Sequence, residues 1–378
     1  MTTVDVAVVG GGPGGCAAAI TLRAHTPGLS VVLLEASAYG GTRLGETLPP
    51  PAAAVLEHLG VAAEFAAQGH HAAYGTAAAW GSAAAHENDF VFHVRDVGWH
   101  LDRAAFDAML HRHAAARGAD ARTSARVEDA RRRAGGGWTL ALAGGGCVET
   151  RLVVDATGAH AAFARRHVGA RPTEGDRLAG FVRFFPAPAV ADPSDDIAGP
   201  PGDPRTLVEA FRDGWWYTAP LPGGARVVAC MTDSDIAREM GIANGERWMD
   251  VLRETAPQVG ACIAGCGDAG PVVVRAARSR RLDRVAGADW MAVGDAASSF
   301  DPLSSQGITK ALRSGIFAAY AAGDLLAKGD DAGIRRYERF VAQEFAAFET
   351  TRARYYGEER RWPGSKFWRR RQRAVMAA

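Results

Sequence analysis

The sequence predicts an α/β protein in which a Rossmann-like nucleotide-binding layer of parallel strands is joined to an antiparallel β-sheet domain and closed by C-terminal helices. Three observations carry this. A short apolar run at residues 4–9 meets a glycine cluster at 10–15, an Ala-rich helical segment at 16–23 and a second apolar run at 29–35, which together read as one βαβ unit. Short β-rich runs separated by Pro/Gly loops fill about 178–281. Long helical patterns then cover about 306–328 and 337–348.

Between these landmarks, 51–59 and 100–116 read as helices, the second with Leu101, Ala104, Ala105, Met109 and Leu110 at helical spacing. Residues 122–129, 138–142 and 147–154 read as a meander of strands. The glycine triplets at 135–137 and 144–146 are its hairpin loops, since no helical pattern follows either. The β-rich region holds runs at 181–185, 206–211, 215–218, 226–231 and 272–276, and a buried strand returns at 288–293. A nucleotide-binding domain assembled from 1–75, 100–170 and 286–330 is therefore expected. Segments 76–99 and 171–285 would supply the substrate domain, and 331–378 a last helix and basic tail.

With 378 residues, 48% hydrophobic and 22% charged, the chain is ample for a real core, which excludes disordered, collagenous and coiled-coil classes. No apolar stretch is long enough to span a bilayer and no charged n-region opens the chain, so a cytoplasmic protein without a membrane span is expected. Five scattered cysteines give no disulfide framework. Cys262 and Cys266 alone make a poor zinc site, and no metal is expected. The formal charge of +1 conceals a basic tail, with nine Lys/Arg from Arg352 to Arg373 against Glu358 and Glu359. Such a tail is a solvated face, a docking patch for an acidic partner, or an ordinary closing segment packed on the nucleotide-binding domain; nucleic acid is not expected. Lysine is nearly absent: only Lys310, Lys328 and Lys366 occur.

Gly10-x-Gly12-x-x-Gly15 lies between a predicted strand and a predicted helix. Gly10 permits the tight turn, Gly12 lets backbone N–H groups reach a pyrophosphate with Pro13 and Gly14 in the same loop, and Gly15 lets helix pack on strand. Glu35, ending the second strand, is placed to accept from ribose hydroxyls.

Val153-Val154-Asp155-Ala156-Thr157-Gly158 resembles the ATG motif of two-dinucleotide-domain flavoproteins, and Met291-Ala292-Val293-Gly294-Asp295-Ala296-Ala297 resembles their second FAD motif. Together with Gly45-Glu46-Thr47-Leu48-Pro49-Pro50, Trp99 through Asp107, and Gly294 through Gly307, they make nearly the whole chain similar to a known superfamily. This is the flavin monooxygenases of the para-hydroxybenzoate hydroxylase fold, a glutathione reductase-type FAD fold, on the branch containing tryptophan halogenases. The resemblance implies FAD, with Asp295 on the ribityl chain and Thr157, Gly158 and Gly294 in the cofactor loops. Pro302 would lie beside the isoalloxazine, and the N–H groups after Ser305, from Gln306 and Gly307, would face its N1–C2=O edge. Arg103, and with it Arg43, would contact cofactor, and Glu46 would lie near the flavin. NAD(P)H or reduced flavin from a separate reductase would supply electrons and O2 would be co-substrate, an aromatic ring being oxygenated by a flavin C4a-hydroperoxide.

A halogenase of this branch needs a lysine on the strand after the GE-x-x-x-P segment, at a position that falls near Thr76, and a Trp-x-Trp-x-Ile-Pro signature. No lysine precedes Lys310, and the nearest stretch to the signature is Gly214-Trp215-Trp216-Tyr217-Thr218-Ala219-Pro220. Ala79-Trp80-Gly81-Ser82, Asp301 through Gly307, and Arg361 through Arg370 instead look like maturase flavoproteins of amine and amino-acid oxidases with tryptophan-derived quinone cofactors. This implies hydroxylation of a tryptophan side chain in a peptide or partner protein. A halogenase-like or reductase enzyme on a small hydrophobic or aromatic metabolite, and a non-catalytic FAD-binding chaperone of an oxidase, stay open. Catalytic candidates are Glu46 and His71, with His70 and His100 as further acid/base groups. Trp80, Trp99, Trp215, Trp216 and Tyr217 are candidates for the pocket wall or the core. Arg165, Arg166, His167 and the arginines of 278–284 would meet nicotinamide-cofactor phosphates or remain surface charge.

Overall fold

The computed structural model describes residues 1–41, 43–90, 97–173, 175–187 and 204–372. Its first sheet has a parallel core in the order Trp290–Ala292, Cys147–Asp155, Thr2–Val9, Val31–Leu34 and Asp120–Arg122. Thr2–Val9 and Val31–Leu34 are rich in valine and leucine because both strands are largely buried in the core, where few positions need polar side chains. The hairpin of Val127–Arg132 and Trp138–Leu142 joins antiparallel to Cys147–Asp155. Helices Pro13–His25 and Gly307–Lys328 pack across one another where Gly14 faces Gly315, and a Cβ on Gly315 would come within 2.2 Å of the Gly14 carbonyl.

The second sheet runs Val273–Ala276, Leu178–Phe185, Arg226–Asp233, Gly214–Pro220, Thr206–Phe211, Gly75–Ala79 and His86–Asp89. It is mixed rather than antiparallel throughout, because Thr206–Phe211 pairs parallel with Gly75–Ala79, a strand delivered from the other half of the chain. Its faces carry two separate cores, one built around Trp216 and Trp248 and the other around Trp215, Phe367 and Trp368. A small sheet of Thr47–Leu48, Gly98–His100 and His71–Ala73 bridges the layers.

Several expectations are corrected. Residues 122–129 are not one strand: Ser124 adopts a left-handed backbone (φ 53°) and divides Asp120–Arg122 from Val127–Arg132. The helix expected from His100 begins at Arg103, because Asp102 caps it by accepting from the Ala105 N–H, which leaves His100 in a strand. Helices Ser234–Met240, Gly245–Thr255 and Pro257–Ala261 lie within the region read as β-rich. The last long helix runs over Ala332–Glu358, and a further helix, Lys366–Gln372, lies in the basic tail.

That tail packs in part on the second sheet and in part stays solvated. Arg371 is buried on Asp233 (2.7 Å), Arg370 reaches Asp233 and Asp235, Arg361 pairs with Glu359, Lys366 with Glu239, and Arg352 with Asp176 and Asp301. Arg354, Arg360 and Arg369 stay exposed, and Arg373 lies outside the described residues. Among the described residues no helix is long and apolar enough to cross a membrane.

Candidate functional site

The glycine loop has the geometry its spacing predicts. Gly10 takes φ +111°, its N–H donating to the Leu34 carbonyl at 2.8 Å, and a Cβ there would lie 2.2 Å from the Ala156 carbonyl. A Cβ on Gly15 would meet the Gly10 carbonyl at 1.9 Å, whereas one on Gly12 would meet nothing within 4 Å. The backbone at Gly12 is thus open to a ligand. Pro13 opens the helix and no acidic residue stands in its first turn, so its positive end faces that opening.

Glu35 folds this loop as well as ending its strand. One carboxylate oxygen accepts from the Gly11 N–H (2.7 Å) and the other from the Ser37 N–H (2.9 Å) and hydroxyl. Burial raises its pKa, but the Ser37 and Gly11 hydrogen bonds and Arg43 outweigh that and hold the carboxyl below its ordinary value. Arg43 spans Ser37 (2.8 Å) and Asp107 (2.8 Å), and its guanidinium lies over the Tyr39 ring. Arg103 shares Asp107 and donates to the Leu44 and Gly45 carbonyls, so it fixes the segment carrying Glu46. Asp107, fully buried between two arginines, is a residue that sequence reasoning did not single out, although its i+4 spacing from Arg103 was the available signal.

On the other side, the Thr157 hydroxyl donates to Asp155 and accepts from the Ala162 N–H, shaping the loop that ends in Gly158. Gly294 N–H donates to Ser314, and Asp295 projects half-exposed beside the loop. Lys310 is buried, donating to Asp295 at 2.6 Å and to the Ser298 carbonyl. Pro302–Ser304 is a single 3-10 turn, Ser305 is left-handed at φ 50°, and Gln306 and Gly307 open the long helix with no acid in its first turn. The residues therefore fit a dinucleotide. They offer an open glycine backbone, two positive helix ends, an acid at the second strand's end and a half-exposed Asp295 between the layers.

Where the bridging sheet meets the second sheet lies a buried polar network. Tyr217 OH donates to Glu46 Oε2 (3.2 Å) and approaches Thr47 Oγ1 (3.3 Å), which also approaches Thr206 (3.3 Å) and His100 Nδ1 (3.5 Å). Glu46 Oε1 is buried and has no hydrogen-bond partner among the described residues. Burial raises the Glu46 pKa above its ordinary value, against Arg103 and the Tyr217 bond. Burial pushes His100 down to about 4 against its bond to the Pro204 carbonyl.

His71 stacks on His100, its Nε2 is likewise without a partner, and burial and Arg226 lower its pKa. The structure thus joins Glu46 and His71 to one cluster. His70 is instead a local fastener, bonded to Gln68 and accepting from the Asp102 N–H. Of the five aromatic candidates only Tyr217 faces this network: Trp215 and Trp216 enter opposite cores, Trp80 packs with Trp368, and Trp99 with Phe65. Arg165, Arg280 and Arg281 line a small cavity beside Asp295, and Arg166 donates to the Glu128 carbonyl.

Comparison with known proteins assigns the chain. Residues 74–377 match the tryptophan halogenase family and residues 4–93 the pyridine nucleotide-disulphide oxidoreductase family. The putative FAD-dependent oxidoreductase LodB of Marinomonas mediterranea is 30% identical over 377 residues, covering 98% of this chain and 97% of that one. The structure of CmlS, a flavin-dependent halogenase, superposes with a TM-score of 0.84 at 25% identity, over 98% of this chain and 68% of the other. The peptidyl tryptophan dihydroxylase QhpG superposes with a TM-score of 0.72 at 23% identity, over 98% and 79%, a likeness of fold. With the nucleotide cradle and the whole-length likeness in agreement, the chain belongs to the tryptophan halogenase family of FAD-dependent enzymes.

Proposed function

We propose that this protein is an FAD-dependent monooxygenase that hydroxylates an electron-rich aromatic ring, a tryptophan side chain presented by a peptide or partner protein. The observation that carries the reading is position 76. The strand on which the halogenases' lysine is expected has Thr76 there, paired with Thr206, and neither strand beside it supplies a lysine. Lys310 is spent on Asp295, and Lys328 and Lys366 are exposed in ion pairs with Asp324 and Glu239. The likeness to LodB, a putative FAD-dependent oxidoreductase, extends over the full length of both chains, and the fold is shared with a protein that dihydroxylates a peptidyl tryptophan as well as with halogenases.

In this reading the backbone N–H groups of Gly12 and Gly14 take the pyrophosphate, Glu35 the adenosine ribose, and Asp295 the ribityl chain. Arg43 and Arg103 brace that face through Asp107, and residues 302–307 border the isoalloxazine. Bound FAD supplies the reductive activation of dioxygen. The protein excludes water and orients the ring. Glu46 holds a proton in the buried network, where Tyr217 fixes one carboxyl oxygen and leaves Oε1 for the reacting partner. Electrons would come from NAD(P)H directly or from a partner flavin reductase.

The test is mass spectrometry of a candidate quinone-cofactor oxidase co-expressed with this protein, with and without an intact Gly10–Gly15 loop. Tryptophan mass gains in steps of one oxygen, dependent on the loop, are expected. Halogen mass gains would establish the halogenase reading, and maturation that survives loss of the FAD loop would establish a chaperone.

A further inference from the structure

The wide apolar groove between helices Gly307–Lys328 and Ala332–Glu358 carries no sign of its occupant, and the arginines beside Asp295 belong to the nucleotide site already described. The strongest unexplained feature is the buried carboxylate of Asp301, which opens the flavin-side loop. It accepts from the Leu303 N–H (3.0 Å) within its own turn. It also accepts from Arg352 Nε (3.1 Å) and Tyr356 OH (2.8 Å), both on the C-terminal helix. Tyr356 OH in turn accepts from Trp215 Nε1 (3.0 Å), in the middle of the second sheet. Asp301, Tyr356 and Trp215 are each almost completely buried.

The same C-terminal segment is pinned to the second sheet elsewhere. Trp80 Nε1 donates to the Tyr355 carbonyl, Glu359 accepts from the Gly81 N–H, Arg361 reaches the Ala79 carbonyl, and Trp368 Nε1 donates to the Phe211 carbonyl. One hydroxyl thus links the loop to the sheet. Downstream in that loop Ser305, a non-glycine residue, is held at φ 50°, a conformation that L-residues leave unless the surroundings over-determine it.

We propose that Tyr356, with Arg352, is a positioning residue that sets the flavin-side loop against the second sheet through Asp301. It fixes where the N–H groups of Gln306 and Gly307 point and where the flavin edge lies relative to the substrate. This rests on the reading above that residues 302–307 border the isoalloxazine. The ring of Tyr356 packs against Trp80, Phe367 and Trp368, and Tyr356→Phe keeps that packing while removing both hydrogen bonds.

The experiment compares holoenzyme carrying Tyr356→Phe or Asp301→Asn with Trp368→Phe, which loosens the same cluster without touching Asp301. FAD dissociation constant, flavin absorption spectrum, flavin reduction potential and denaturation midpoint are read for each. Tyr356→Phe and Asp301→Asn are expected to shift the spectrum and potential and to weaken FAD binding at least five-fold, and Trp368→Phe to lower only the denaturation midpoint. Unchanged flavin properties in Tyr356→Phe, or equal changes in Trp368→Phe, would overturn the proposal. Should Asp301→Asn fail to fold, Tyr356→Phe decides alone. A wild-type protein that binds FAD but hydroxylates nothing would refute the function and leave this inference standing.

Discussion

At the residue scale, the proposed chemistry turns on groups whose charged forms are disfavoured by burial. His100 in the native state binds its proton only near pH 4, against an ordinary value of 6.5, because burial outweighs its bond to the Pro204 carbonyl. The unfolded chain therefore binds more protons between those values. His100 contributes stability above pH 6.5 that is lost as the pH falls through about 4, worth about 3 kcal/mol at most. His100→Gln, which keeps a donor for Pro204, is expected to flatten the stability profile over that window, measured by urea unfolding at a series of pH values. Glu46 has the opposite sign. Its raised native pKa makes its contribution greatest in acid, and that contribution is lost as pH rises through the native value. Tyr217→Phe removes the bond that orients the carboxyl and should cut product formation about 100-fold, with FAD content unchanged. Full turnover in that variant would remove Tyr217 from the mechanism. Glu46 and His71 were legible in the sequence as candidates, but Tyr217 entered only as a wall aromatic. Its partner lies 171 positions away, a separation that no local pattern encodes.

At the element scale, what the sequence revealed followed periodicity, and what it concealed followed long-range contact. The βαβ opening was readable because glycine positions and apolar runs are local. The helices at 234–261 were missed although Gly245–Thr255 carries a local signal, Trp248, Val251 and Leu252 at helical spacing behind an Asn244 cap, because the neighbouring β-rich runs set the reading of the whole region. The basic tail stays open in the sequence for a different reason. Composition counts its arginines but not Asp233, Asp235 and Asp176, which meet them only in the fold. Arg371→Leu should accordingly destabilise the protein by about 3 kcal/mol, because it removes a buried partner of Asp233, whereas exposed Arg369→Ala should change stability by less than about 0.5 kcal/mol. Equal effects would return the tail to a solvated face. Gly315→Ala tests the helix crossing. Its new methyl would press on the Gly14 carbonyl and Ala17, so a loss of about 1–3 kcal/mol and weaker FAD binding are expected, read by denaturant midpoint and flavin titration.

At the scale of the whole molecule, two sheets built from interleaved segments meet around a buried polar network that carries no lysine. Family membership alone would favour halogenation, a chemistry in which a cation between flavin and substrate holds the oxidised halide. Here Thr76 and Thr206 occupy paired positions on neighbouring strands, and the buried lysine is withdrawn to Asp295 on the nucleotide side. Burying an ammonium group without a partner is costly, so Lys310 is not free to leave that carboxylate for the aromatic site. Oxygen consumption and product formation should therefore be indifferent to halide. With reduced flavin supplied and chloride or bromide varied from trace to saturating, the hydroxylated fraction of the peptide tryptophan should stay constant and no halogenated peptide should be detected by mass spectrometry. A halide-dependent rate with a matching isotope pattern would mean that another cationic group replaces the absent lysine. Arg226, buried and close enough to depress His71, would then be the first residue to substitute.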